Sequence, residues 1–259
     1  MTIELEAQGH VLVMRVARPE KRNAFSLAML DALAAGYERL ANDPELRVGL
    51  LCAAGDHFSA GLDLAEVGPA VAANGPEALA GGRAFDPFGV WGPRVPKPIV
   101  MAVQGIAFTL SIELALAADI VLASPEVRFR QLEIGRGIMP FGGATFRAPA
   151  KLGWGNAMRF LLTAEEFGAD VALRIGLVQE VVPRADLETA AMRIAELIAK
   201  QAPVGVAMTL ANAVVGQAEG EAAAARHIKA ALPTILASED AREGMLSFIE
   251  RREARFRGR

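Results

Sequence analysis

The chain has 259 residues, 53% of them hydrophobic and 22% charged, with a formal net charge of −3. That length and apolar share suit one large globular domain, or one domain with a small appendage. The mildly acidic balance gives no reason to expect nucleic acid as a partner. A single cysteine, Cys52, rules out an internal disulfide. The N-terminal residues 1–6 carry neither a basic n-region nor an apolar h-region, so the expectation is a cytoplasmic chain. The most apolar stretch, residues 110–123, is too short to span a bilayer and is interrupted by Glu113 and Asp119, so no membrane association is expected.

In chain order, residues 11–16 (VLVMRV) read as a strand. Residues 26–40 have helical periodicity through Leu27, Leu30, Leu33, Ala34 and Tyr37, with Ser26 as N-cap. Residues 47–53, 98–104, 119–123 and 127–129 read as further strands. The segment 67–94 is rich in Gly, Ala and Pro and reads as a mobile helix or lid bordering a site. Beyond Gly143 the pattern is almost wholly helical. Thr163-Ala164-Glu165-Glu166 carries a capping-box signal, and residues 178–182 form one short strand. Helices then start near Leu187, Val204, Glu221 and Ser238, with Pro203 and Ser238 as start signals. Strand–helix alternation in the first part implies an α/β domain with a largely parallel sheet or coil.

Two strand-to-helix turns carry the chemistry. One is residues 58–64 (FSAGLDL), the other residues 105–111 (GIAFTLS). The first N–H groups of a helix lack intrahelical partners and carry partial positive charge. Two such turns facing each other would form a pair of donors for an oxyanion, although the same spacing also suits ordinary tight turns. Glu113 follows the second turn in apolar surroundings. Glu133 lies in residues 130–137 (RQLEIGRG). A carboxylate in an apolar setting is costly unless it is paired, hydrogen-bonded or protonated. Taken singly, Glu113 reads as a dipole-stabilising first-turn acid and Glu133 as a loop residue pairing Arg130 or Arg136. Two turns combined with two acids suggest acid–base chemistry. His10, His57 and His227 are scattered without metal-ligand spacing, and no dinucleotide fingerprint, P-loop or nucleophile elbow occurs.

These residues resemble the crotonase (enoyl-CoA hydratase/isomerase) superfamily, and within it are most similar to enoyl-CoA hydratase. The resemblance rests on residues 18–24 (RPEKRNA), 55–64 (GDHFSAGLDL), 96–105 (PKPIVMAVQG), 113–119 (ELALAAD), 129–135 (FRQLEIG), 140–145 (PFGGAT) and 238–252, and covers nearly the whole chain. It implies an α/β fold with a crotonase-like ββα spiral core over residues 1–195, holding an acyl-CoA site. A helical oligomerisation region over residues 196–259 would assemble a homotrimer or a dimer of trimers. It also implies that the backbone N–H groups of Leu62 and Leu110 form the oxyanion hole for a thioester enolate, and that Glu113 and Glu133 are catalytic. On this basis Glu133 is expected as the acid and Glu113 as the main base. The coenzyme A arm is expected along Arg22, Ala24, Ala60, Gly61 and Asp63, with Phe248 and the tail arginines contributing from a neighbouring subunit. No metal or redox cofactor is expected, coenzyme A being part of the substrate.

The implied activity is addition of water to the 2,3 double bond of an enoyl-CoA in fatty acid metabolism. The alternatives are double-bond isomerisation, another crotonase-type acyl-CoA reaction such as hydrolysis or dehydration, and a non-catalytic acyl-CoA-binding paralogue. The sequence departs from the family in two places. Thr109-Leu110-Ser111 stands where glycines are common, so side chains are expected to crowd the acyl site. Ala65 stands where a lysine is often found.

Overall fold

The computed structural model describes residues 3–80 and 83–259. Residues 81 and 82 of the Gly/Ala/Pro-rich segment, and the first two residues of the N-terminus, lie outside the described residues. β1 (Ile3–Gln8) pairs antiparallel with β2 (Val11–Val16). From β2 the sheet continues in parallel through β3 (Val48–Ala53), β4 (Ile99–Val103), β6 (Ile120–Ala123) and β9 (Glu180–Val181). A second, three-stranded sheet joins β5 (Ile106–Phe108), β7 (Arg128–Arg130) and β8 (Phe167–Gly168).

The central strands read as continuous apolar runs because both faces are buried. Val11, Val13, Val48, Leu50, Cys52, Val100 and Ala102 turn to one face. There they meet Leu187, Ala191, Ala195 and Ala199 of α7 (Leu187–Ala199). The alternate residues Leu12, Met14, Leu51 and Met101 join the larger core with Met29, Leu30, Leu33 and Tyr37 of α1 (Leu27–Asn42). The period-2 alternation of side chains therefore divides each strand between two cores. The Ser26 side chain caps α1 by accepting from the Met29 N–H, as the sequence indicates.

The connections between strands position the site. α2 (Leu64–Asn74) follows the first turn, and α3 (Leu110–Ala117) follows β5. α4 (Ala144–Leu152), α5 (Trp154–Thr163) and α6 (Ala169–Ile175) lead to β9. The capping-box expectation at Thr163 fails. Thr163 is the last residue of α5, its hydroxyl donates to Arg159 O, and Ala164 adopts a left-handed cap conformation. Of the second sheet only β7 is read in the sequence, as residues 127–129; β5 and β8 go unread because they are only three and two residues long.

After α7 come α8 (Pro203–Glu219), α9 (Glu221–Ala237) and α10 (Glu239–Glu250), the last capped by Ser238. The boundary expected between residues 195 and 196 falls inside α7, whose buried stripe belongs to the sheet. The change in packing comes after Ala199, since α8 has no buried residue and α9 only Ala223. The chain's end returns to the core. Asp240 accepts from the N–H groups of Arg257 and Gly258, and Arg47 donates to Ala199 O and Phe256 O. No single described helix is long and apolar enough to cross a membrane.

The first turn rests on one buried amide. Asn23, at φ 55°, accepts from Arg18 N–H at 2.7 Å and donates to Ala54 O and His57 O at 2.9 and 2.8 Å. Removing it leaves these part-buried groups without their partner and places alanine in a left-handed conformation. Asn23→Ala is expected to cost about 2–4 kcal/mol in denaturant unfolding. A loss below about 0.5 kcal/mol, the scale of a neutral surface change, would contradict this role.

Candidate active site

The pairing of the first turn determines which way its amides point. Phe25 N–H donates to Gly61 O, and Asp63 N–H donates to Phe25 O, both at 2.8 Å. The neighbours of Leu62 thus bond to Phe25, so the N–H of Leu62 itself faces the opposite side, as in any parallel ladder. The second turn is laid against the first. Ser59 N–H donates to Ile106 O and Phe108 N–H to Ser59 O, both at 3.0 Å. The Ser111 hydroxyl donates to Ser59 O at 3.3 Å. Leu110 is the first residue of α3 and has no intrahelical acceptor for its N–H. Among the described residues neither the Leu62 nor the Leu110 N–H donates a hydrogen bond.

Both residues line one cavity of about 420 Å³, together with Ala60, Thr109, Glu113 and Glu133. Glu113, in the first turn of α3, is 4% exposed. Its Oε1 accepts from the N–H groups of Gly142 and Ala144 at 2.7 and 3.2 Å. Gly142 permits this approach, since a Cβ there would stand 2.7 Å from Glu113 Oε2. Burial, reinforced by the Glu133 charge, pushes the Glu113 carboxyl up to about 8 against the two N–H bonds. Glu133 begins a one-turn 3-10 helix (Glu133–Arg136). Burial raises its pKa as well, and its buried Oε2 has no hydrogen-bond partner among the described residues. The pairing considered with Arg130 or Arg136 does not form among those residues, and Arg130 Nε donates to Ala164 O instead.

Residues 6–259 match the family model described as enoyl-CoA hydratase/isomerase. The chain belongs to the enoyl-CoA hydratase/isomerase family. It is 33% identical to a short-chain-enoyl-CoA hydratase of Clostridium acetobutylicum, with 96% of this chain and 95% of the relative covered. It is 32% identical to a carnitinyl-CoA dehydratase of Proteus mirabilis over 100% of this chain and 99% of the relative. A crystal structure from Mycobacterium abscessus, described as a "probable enoyl-CoA hydratase/isomerase", superposes with a TM-score of 0.94 at 46% identity, covering 100% of this chain and 99% of that one. An enoyl-CoA hydratase from Bacillus anthracis superposes with a TM-score of 0.90 at 28% identity over 100% of both chains. The α/β architecture is that of the crotonase superfamily, and its activity is of the enoyl-CoA hydratase type.

Within this family frame, the cavity gathers five of the residues singled out in the sequence: Ala60, Leu62, Leu110, Glu113 and Glu133. The others lie around or beyond it. Asp63 accepts from Arg18 Nη1 at 3.2 Å, and Ala24 O accepts from the same nitrogen at 3.0 Å. Arg22 O accepts from Ala60 N–H, while the Arg22 side chain is exposed. Gly61, at φ +108°, lies against Thr109. Phe248 is 84% exposed on α10 and is not among the cavity residues.

The segment 67–94, read as bordering a site, supplies the apolar walls Val67, Leu79 and Phe88, while Leu132, Ile138 and Phe141 went unread because isolated apolar residues carry no periodic signal. The strap within that segment that fixes Phe88 was not singled out. Buried Asp86 accepts from the N–H groups of Phe88, Val90 and Trp91. Arg147 donates to the carbonyls of Phe88 and Gly89. The Asp86-Pro87-Phe88-Gly89 turn chemistry was the available signal.

The raised Glu113 pKa has a sign in stability. Its neutral form contributes fully below the ordinary value of 4.5, and that contribution is lost as pH rises through about 8. Glu113→Gln keeps an acceptor oxygen for the two N–H groups and cannot ionise. Its melting temperature relative to wild type is expected to rise from pH 5 to about pH 8 and then level off. Parallel melting profiles across that range would contradict the burial argument.

Proposed function

We propose that this protein is an enoyl-CoA hydratase-type lyase that adds water across the 2,3 double bond of an enoyl-CoA. The observation that carries this reading is the joint presence, in one cavity, of two turn N–H groups and two carboxyls that, among the described residues, have no hydrogen-bond acceptor and no cationic partner respectively. The thioester oxygen would lie between the N–H groups of Leu62 and Leu110. These act on charge that grows as the enolate forms, where losing one such donor typically costs about 10²–10³ in rate. Water held by Glu113 and Glu133 forms the O–Cβ bond, and the π electrons move to the thioester oxygen. The enolate collapses as Cα takes a proton from the carboxyl pair, and the attacking water returns one to it.

One proton therefore belongs to the pair. The sequence suggested Glu133 as acid and Glu113 as base. The deeper burial of Glu113 favours the opposite order in the resting protein, with the proton on Glu113. Hydration in the first assignment then has that proton cross to Glu133 through the bound water.

On the same reading, the exposed Arg22 meets the phosphates of coenzyme A. Ala60 and Gly61 border the pantetheine arm, while Ala24 and Asp63 hold the Arg18 side chain that braces this rim. The uncovered apolar side chains of α9 and α10, among them Leu232, Leu236, Met245, Phe248 and Ile249, suit assembly as a homotrimer or a dimer of trimers, through which Phe248 would reach a neighbour's coenzyme A. The work belongs to cytoplasmic acyl-CoA metabolism.

A second reading, dehydration of a β-substituted acyl-CoA, uses the same atoms in reverse. It is favoured by the likeness to a carnitinyl-CoA dehydratase.

The test is the loss of enoyl-thioester absorbance with crotonyl-CoA and a longer enoyl-CoA. Wild type is expected to turn over. Glu113→Gln and Glu133→Gln are each expected to lose about 10²–10⁴ in kcat, the usual contribution of a general acid or base. No turnover on either substrate, or a variant that keeps wild-type kcat, would overturn the two-carboxyl hydratase reading.

A further inference from the structure

Thr109 stands immediately before the Leu110 donor, at φ 49° and ψ −108°. This is glycine territory, and for a β-branched residue it is a genuine outlier. Threonine is among the preferred N-cap residues, and Thr109 occupies the N-cap of α3. Yet its side chain makes no cap hydrogen bond. The hydroxyl that would normally close the helix end is turned elsewhere.

Its position shows where. A Cβ added at Gly61 would collide with Thr109 Oγ1, so the hydroxyl lies directly against the residue that precedes the Leu62 donor. Thr109 also lines the cavity shared by Leu62, Leu110, Glu113 and Glu133. The hydroxyl thus sits where the two turns meet, against the residue before Leu62 and on the residue before Leu110. A strained backbone persists where the surroundings impose it, and such strain gathers at functional sites. A hydroxyl can rotate its proton toward whatever acceptor arrives.

We infer that the Thr109 hydroxyl is a third hydrogen-bond donor to the thioester oxygen, beside the Leu62 and Leu110 N–H groups. This rests on the acyl-CoA reading above and deepens it, making Thr109 a catalytic residue. The threonine that replaces a glycine in the turn then adds a side-chain donor to a backbone hole. Its interaction strengthens as negative charge grows on the oxygen. Gly61 is required for it, because any side chain there would displace the hydroxyl.

The test uses acetoacetyl-CoA, a β-ketothioester whose enolate absorbs in the near ultraviolet and whose oxygen would occupy the same hole without any addition of water. The pH midpoint of bound enolate formation is read for wild type and for Thr109→Val, Thr109→Ser and Thr109→Gly. Thr109→Val is expected to raise the midpoint by about one pH unit, the tenfold effect of one modest hydrogen bond. Thr109→Ser is expected to restore it. Thr109→Gly is expected to match Thr109→Val while folding well, because glycine suits this backbone conformation. Hydration by Thr109→Val is expected to fall about tenfold in kcat with little change in KM. Wild-type midpoints in both Thr109→Val and Thr109→Gly would overturn the inference. Absence of crotonyl-CoA turnover in wild type would overturn the hydratase reading alone and leave the enolate titration a full test. Failure of wild type to bind acetoacetyl-CoA would overturn both.

Discussion

A buried carboxyl, Glu113, and a half-buried one, Glu133, line one cavity, and among the described residues no cation is bonded to either. That constraint organises the cavity. A buried carboxylate is expensive because water no longer solvates it, and a second negative charge nearby adds repulsion. Glu113 is compensated only by two backbone N–H groups and by the field of Arg147, which bonds to carbonyls rather than to the acid. Glu133 keeps an unpartnered oxygen. Glu113 is therefore driven to hold a proton at neutral pH, the Glu133 charge adding to that drive, and a neutral acid beside a second carboxyl is what acid–base chemistry on a neutral substrate needs.

The rest of the fold serves to maintain that expensive arrangement. The two turns are held against each other by backbone bonds between Ser59, Ile106 and Phe108 and by the Ser111 hydroxyl, while the Ser59 hydroxyl donates to Asn23 O. Asn23 ties the early turn to the end of β3. The strap at residues 86–91 is fixed from inside by Asp86 and from α4 by Arg147, which places Phe88 on the cavity wall beside Glu113. With these segments tied down, Leu62 and Leu110 line the cavity, and among the described residues their N–H groups donate no hydrogen bond; on the proposed reading such preorganised donors cost no reorganisation when charge develops.

Much of this was legible in the sequence, for physical reasons that differ between elements. β2, β3 and β4 were visible because burial on both faces demands unbroken apolar runs. α1 and α10 announced their starts through Ser26 and Ser238, whose side chains accept from the N–H groups three residues on. Thr163 carried the same local chemistry but serves a helix end, because a capping signal is as satisfied by a C-terminal turn as by an N-terminal one. β1, β5 and β8 were missed, since short or edge strands need few apolar residues. The two glutamates could be named from their motifs. Their sharing of one cavity could not, since it depends on how β5, β7 and the turn at residues 140–143 are packed. The same holds for Thr109. Its departure from glycine was plain in the sequence, while the place of its hydroxyl against Gly61 follows only from how the two turns pack.

The central claim is that the two carboxyls are coupled and hold one proton between them. Infrared difference spectra across pH 5–10, recorded for wild type, Glu113→Gln and Glu133→Gln, test it most directly. The account predicts a protonated-carboxyl band in wild type that persists above neutral pH and disappears with a midpoint near 8. It also predicts that this midpoint falls when Glu133 can no longer carry charge. A band already lost by pH 6, or a midpoint unmoved by Glu133→Gln, would contradict it.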